Sequence, residues 1–138
     1  MIVLDASAMV KLIIDEPHSD FARKKVDTEA KEDEPIYAPD VALAETINVI
    51  WKYSALKGRE AVEPYKALAD LLLVWDRITI VNTEELASIA LKLSIEHRMV
   101  IYDALYAALS KLYRAPLFTF DKKLENKANE IGIELVTQ

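Results

Sequence analysis

Apolar residues recur along the chain in two alternating rhythms. Short runs at 2–4, 36–38, 77–82, 117–120 and 133–136 are continuous or alternate with period two, and read as strands. Between them, apolar positions three and four apart predict helices. One follows Asp5, turns Met9, Val10, Leu12 and Ile13 inward, and stops at Pro17. An amphipathic helix over 18–33 has Phe21, Ala22, Lys25 and Val26 on its inner side. A long helix opens at Pro39, with Asp40 in its first turn, and closes at Gly58; its main core stripe is Leu43, Ala44, Ile47, Ile50 and Trp51. The next runs from Arg59 to Trp75 with Pro64 in its first turns. Another is capped by Asn82 or Thr83, with Leu86, Ala87, Ile89, Ala90 and Leu93 inward up to His97. The last covers 122–132 and ends at Gly132. Strands alternating with helices predict a three-layer α/β/α sandwich with a largely parallel central sheet, in a single domain spanning 1–138.

The helix over 101–113 departs from this amphipathic scheme. Ala104, Leu105, Tyr106, Ala107, Ala108, Leu109 and Leu112 make it apolar on nearly every side, the pattern of a buried helix. Yet Asp103 stands at its mouth, and a carboxylate is costly to bury without hydrogen bonds or positive charge. Three further acids share this pattern. Asp5 follows the first strand, Asp121 follows the strand over 117–120, and Glu45 has Val41 and Val49 one turn away on either side. Plainer roles are open to three of the four: a helix cap for Asp5 and Asp103, an exposed helix edge for Glu45. In a parallel sheet, however, the carboxyl ends of strands converge on one edge, where open α/β sheets place ligands. Four like charges gathered there repel, and protonation or bound cations relieve them. Oxygen-only ligation suits Mg²⁺ or Mn²⁺, and such ions activate water for hydrolysis of phosphate esters.

Composition narrows the chemistry. The chain has 138 residues, enough for a real core, and a formal charge of −6. That charge argues against nucleic acid, unless bound cations cancel the acids. Basic groups at Arg23-Lys24-Lys25, at Lys111 with Arg114, and at Lys122-Lys123 read first as solvated surface. There is no cysteine, hence no disulfide, thiol nucleophile or thiolate site. With only His18, in a loop, and His97, no histidine-rich metal site forms. Both glycines are helix stops, so no glycine-rich phosphate loop exists and no nucleotide cofactor is indicated. The acidic run over 29–34 reads as a surface helix end and loop. The apolar excess over 71–75 reads as core, then as a dimer interface. We expect no signal peptide and no membrane span, which fits the cytoplasm. Abundant Lys and Glu with scarce Gln and Asn fit a heat-adapted source.

The stretches VLDASAMVKL, PDVALAETINVIWK, YDALYAAL and LFTFDKKL, taken together and in this order, resemble the four signature blocks of PIN-domain ribonucleases. Within that family they are most similar to the VapC-type toxins of toxin–antitoxin pairs, and the resemblance spans essentially the whole chain. It implies an Mg²⁺-dependent endoribonuclease, with Mn²⁺ as a substitute, acting on RNA as a homodimer and inhibited by a cognate antitoxin. By match to those blocks, Asp5, Glu45, Asp103 and Asp121 correspond to the acidic metal-binding and catalytic quartet. Ser7, Asn48 and Thr119 correspond to polar partners that orient them. Three other readings stand beside it: a PIN nuclease that processes RNA without an antitoxin, a phosphatase of small phosphate esters, and a non-catalytic PIN-like interaction module.

Overall fold

The structure, a computed structural model, describes residues 1–57 and 62–138. Its elements are β1 (Ile2–Leu4), α1 (Ala6–Ile13), α2 (Ser19–Lys31), β2 (Ile36–Pro39), α3 (Val41–Lys57), α4 (Pro64–Trp75), β3 (Thr79–Val81), α5 (Thr83–His97), α6 (Ile101–Tyr113), β4 (Leu117–Phe118) and α7 (Lys122–Glu130). All strand pairs are parallel, in the order β3-β2-β1-β4. Parallel neighbours need crossover helices, which cover the sheet's faces and favour apolar residues in the central strands. Ile2, Val3 and Leu4 are accordingly all buried. The register places Val3 beside Tyr37 on one side and Leu117 on the other. The result is the three-layer α/β/α arrangement, and among the described residues no helix is long and apolar enough to cross a membrane.

Helix α6 holds the middle of one layer. It packs on β2, β1 and β4 with α5 against its outer side, and every residue from Ala104 to Ser110 is buried. Leu112 is the exception to the expected all-round burial: it is exposed, in a final turn that faces solvent from residue 111 to 114. Helix α1 packs with α2, α3 and α4.

Several boundaries differ from the sequence reading. Pro39 closes β2, paired with Val81, rather than opening α3. Asp40 makes the turn. The buried side of α3 is Ala42, Thr46 and Ile50, with Val49 and Tyr53 beside it, whereas Ala44, Ile47 and Trp51 are exposed. Thr46 can enter the core because its hydroxyl donates to the Ala42 carbonyl at 2.7 Å. The described part of the following helix begins at Pro64, with the Glu63 carboxylate accepting from the Lys66 N–H at 2.6 Å; the positions expected of Gly58, Arg59 and Ala61 lie outside the described residues. The run 77–82 contracts to three paired residues and 117–120 to two. The strand expected over 133–136 is a single parallel bridge from Leu135 to Leu117, since only the two-residue β4 is available to pair with it.

Two acids take places that differ from the sequence expectation. Glu29, expected on the surface, is 4% exposed, because its carboxylate receives both the Met1 ammonium and Lys25 Nζ, the latter at 2.5 Å. Burial raises its pKa, but those two cations outweigh it and hold the carboxyl below the usual range. Asn82 does precede α5, yet its side chain caps nothing. Asp40 takes that role from a distant part of the chain, accepting from the Thr83 N–H at 3.0 Å and the Thr83 hydroxyl at 2.5 Å. Helices α5 and α6 both end on an arginine in the left-handed region, Arg98 and Arg114, each with φ 53°. His18 (φ 72°) and Asp33 (φ 57°) adopt it as well, and Gly132 (φ 77°) follows α7.

Candidate active site

Strand β1 lies between β2 and β4, so the chain's connections run outward from it in opposite directions. A crevice opens beyond the carboxyl ends of strands at such a point. Asp5 is the first residue past β1, and Thr119 and Asp121 follow β4 on the adjoining side.

Asp5 is 3% exposed and hydrogen-bonded on both oxygens. Oδ1 accepts from the Ala8 N–H at 2.8 Å, capping α1, and from the Ser7 hydroxyl at 2.7 Å; Oδ2 accepts from the Thr119 hydroxyl. Cap and cleft acid are therefore one group. Ser7 Oγ also accepts from the Phe120 N–H at 2.8 Å, and Thr119 Oγ1 from the Asp121 N–H at 3.0 Å. These bonds tie the end of β4 to the end of β1. Burial is the largest influence on Asp5. It overcomes the three hydrogen bonds and, helped by the nearby Asp121, pushes the carboxyl up to about 6.

The other acids approach from three helices. Asp121 caps α7, accepting on Oδ1 from the Lys123 N–H at 2.9 Å and the Leu124 N–H at 3.3 Å. Glu45, on α3, is half-buried. Burial raises its carboxyl, the Tyr106 hydroxyl opposes, and Asp103, Asp5 and Asp121 raise it further. Asp103, also half-buried, lies inside the first turn of α6 and is not its cap: the helix starts two residues earlier, from an extended Val100. Burial and then Asp121 raise its carboxyl against the pull of Lys123. Asp121 thus acts on each of the other three acids, Glu45 also feels Asp5 and Asp103, and those three are harder to ionise than in water.

Of the polar partners, Ser7 and Thr119 both grip Asp5. Asn48 is exposed and makes no side-chain hydrogen bond among the described residues. The group that touches Glu45 is Tyr106, whose hydroxyl donates to Oε1 at 3.2 Å while its ring is 2% exposed. The apolar pattern of α6 predicts Tyr106 as core. Its signal was a hydroxyl inside a helix buried all round, since a buried tyrosine oxygen needs a partner.

Among the described residues, no three carboxylate or imidazole groups stand close enough to grip one ion as they are placed. The donor chemistry nevertheless suits a hard divalent cation, because the acids supply only oxygen, and burial together with their neighbouring carboxylates raises the pKa of three of them. Asp5, Glu45, Asp103 and Asp121 are the residues that would hold it.

The sequence profile of the PIN domain matches residues 2–130. Ribonuclease VapC3 of Pyrobaculum aerophilum is 29% identical over 126 residues, covering 91% of this chain and 93% of that protein. Among solved structures, VapBC2 of Rickettsia felis, bound to a DNA fragment from its promoter, superposes with a TM-score of 0.72 at 19% identity, over 100% of this chain and 99% of that one. The sarcin–ricin loop cleaving toxin VapC20 of Mycobacterium tuberculosis gives 0.69 at 14% identity, over 99% and 98%. At these identities the two structures speak for the fold, and the profile, which takes in each of the four acids, speaks for the family: the chain belongs to the PIN-domain family.

Proposed function

We propose that this chain is a divalent-metal-dependent endoribonuclease and the toxin of a toxin–antitoxin pair. The observation that carries the reading is the meeting of Asp5, Glu45, Asp103 and Asp121 at the carboxyl edge of the sheet, three of them with raised carboxyl pKa values. The 29% identity to a ribonuclease supports the reaction class. Asp5, Glu45, Asp103 and Asp121 would hold Mg²⁺, or Mn²⁺ in its place, which would supply charge neutralisation and activation of water for hydrolysis of a phosphodiester. Asp5 anchors the site, its orientation fixed by Ser7, Ala8 and Thr119. Tyr106 aims Glu45 into the crevice, and the α7 cap holds Asp121 at its rim. Lys123, on the same rim, is the cation that faces Asp103 and offers a contact for RNA phosphate.

The antitoxin reading has surfaces to match. An apolar recess of about 380 Å³ lies on α3 and α4, lined by Ile47, Trp51, Tyr65 and Leu68, and suits an apolar antitoxin segment. A basic residue of that segment would stand in for the metal among the acids. Leu72 and Leu73 are exposed on α4, as are Leu91 and Ile95 on α5, and fit a homodimer. Purified protein incubated with total RNA, with Mg²⁺ or with excess EDTA and with cleavage ends mapped, tests the reaction. Internal cuts should appear with the metal only. Cutting that persists in EDTA, or no cutting of any RNA by protein free of antitoxin, overturns the proposal. Light scattering should give twice the 15.6 kDa chain mass; the single-chain mass at micromolar concentration refutes the dimer.

A further inference from the structure

A second recess shares a wall with the acid crevice. It measures about 290 Å³ and is lined in part by His18, Phe21, Phe118, Thr119, Phe120 and Glu125. Thr119 belongs to both places: its hydroxyl holds Asp5, and the residue also forms part of the recess. Three aromatic rings pack in sequence along the wall, Phe21 edge-on to Phe118 at 5.6 Å and Phe118 tilted against Phe120 at 5.4 Å. His18 stacks on Phe120 with ring centroids 5.8 Å apart and planes 20° from parallel.

Two details show that this stack is held in place. His18 has φ 72°, a conformation that side-chain-bearing residues avoid, and its carbonyl is locked by the Ala22 N–H at 3.0 Å. Phe120 is steadied by Lys11 Nζ, 4.7 Å from its centroid, and that ammonium is itself tied to Glu16 at 2.8 Å. The histidine ring remains exposed. Glu125, half-buried and paired through Oε2 with Lys122 Nζ at 3.2 Å, leaves its other carboxylate oxygen as an acceptor in the lining.

We propose that this recess seats one unpaired nucleobase of the RNA strand whose phosphate lies among the four acids, with His18 as the stacking platform. The inference rests on the ribonuclease reading above. A volume of about 290 Å³ is at the small end for a ligand pocket and suits a single ring system. Aromatic walls with a polar acceptor match a base, which has apolar faces and hydrogen-bonding edges, better than they match a lipid or a peptide helix. Charge supports the same occupant. A chain of formal charge −6 gains little from phosphate attraction, and stacking holds RNA without it. Glu125 in the lining favours a base that presents an amino group over uracil.

The test uses RNA oligomers spanning a mapped cleavage position, each with one abasic nucleotide, walked through the sequence. With wild-type protein, one abasic position beside the cut should weaken cleavage about tenfold, the effect falling on KM rather than kcat. His18→Gly removes the ring and relaxes the backbone, so it keeps the fold. It should lower kcat/KM on intact RNA by a similar factor and show no further loss at that abasic position. His18→Tyr should restore wild-type behaviour. If His18→Gly cuts intact RNA as wild type does, or if its abasic loss adds in full, the base seat is refuted while the ribonuclease stands. If wild-type protein cuts no RNA, the ribonuclease reading fails and takes the seat with it.

Discussion

Replacing Asp5 by Asn abolishes one ionisation at the most buried point of the crevice and leaves the shape intact. The Asp5 carboxyl is raised from 3.8 to about 6 and is 3% exposed, so solvent does little to soften the shift. About two pKa units at 1.36 kcal/mol each is a penalty of about 3 kcal/mol on the ionised native state. Its sign follows from where the protons sit. Below about pH 4 both folded and unfolded chains carry the proton and nothing is lost. Between about pH 4 and about pH 6 the unfolded chain has released it while the folded one keeps it, so stability falls as pH rises. Above about pH 6 the penalty is complete. Asparagine never ionises and escapes it. Its Oδ1 still accepts from Ala8 and Ser7, while its amide turns toward Thr119 Oγ1, which already accepts from Asp121 and must then donate to Ser7 Oγ at 3.4 Å. That poorer bonding costs about 1 kcal/mol at every pH. In EDTA, urea unfolding should therefore find Asp5→Asn about 1 kcal/mol less stable than wild type near pH 4 and about 2 kcal/mol more stable near pH 7.5. A difference that stays constant within about 1 kcal/mol across that range, or that moves the other way, refutes the reasoning about the crevice.

Three other substitutions probe separate links. Asp103→Asn takes away no helix cap, so in EDTA it should melt higher than wild type at neutral pH, yet respond less to Mg²⁺ and cut no RNA. Wild type should gain about 2.7 kcal/mol with the ion at a hundred times its dissociation constant, and a mutant that melts lower, responds equally and still cuts would contradict the assignment. Tyr106→Phe should leave the melting temperature nearly unchanged and reduce kcat about tenfold with KM for RNA unaltered, as expected when a carboxylate loses its aim; wild-type kcat would show that Tyr106 only fills space. Asp40→Ala removes both bonds that start α5 and should destabilise the fold by about 1–2 kcal/mol without touching catalysis, and a change below about 0.5 kcal/mol in urea unfolding would rule out that cap.

What could be read in advance was whatever the chain encodes locally. An apolar triplet ending in Asp5 and a helix leaving at once define a strand–helix unit, and Phe118 to Leu124 repeat the device around Asp121. Once two such units join a parallel sheet, their acids share an edge, so the approach of Asp121 to Asp5 followed from the fold. What stayed hidden depends on partners far away in sequence. Helix α3 carries two apolar stripes, and only the neighbours decide which is buried; the winner includes Thr46, whose polarity is masked by its own helix carbonyl. Glu29 looked exposed because half of its neutralising charge comes from Met1, 28 residues away. The start of α5 looked self-capping, yet Asp40 supplies the bonds across 43 residues. Tyr106 was counted as apolar bulk, since nothing in a helical wheel says where a hydroxyl finds its acceptor.

The arginines that end α5 and α6 bear on how the molecule responds to heat. Left-handed backbone at a residue with a side chain costs about 1 kcal/mol, and glycine would spare the folded chain that strain. Glycine would also give the unfolded chain more conformations to lose, worth about 0.4–1 kcal/mol in the opposite direction. The strain is mechanical and nearly constant with temperature, whereas the disorder term grows in proportion to absolute temperature. With His18, Asp33, Arg98 and Arg114 all in this conformation, and only two glycines in 138 residues, the denatured chain is entropically poor. Heating therefore rewards its unfolding less than it would reward that of a glycine-capped counterpart of equal stability in the cold.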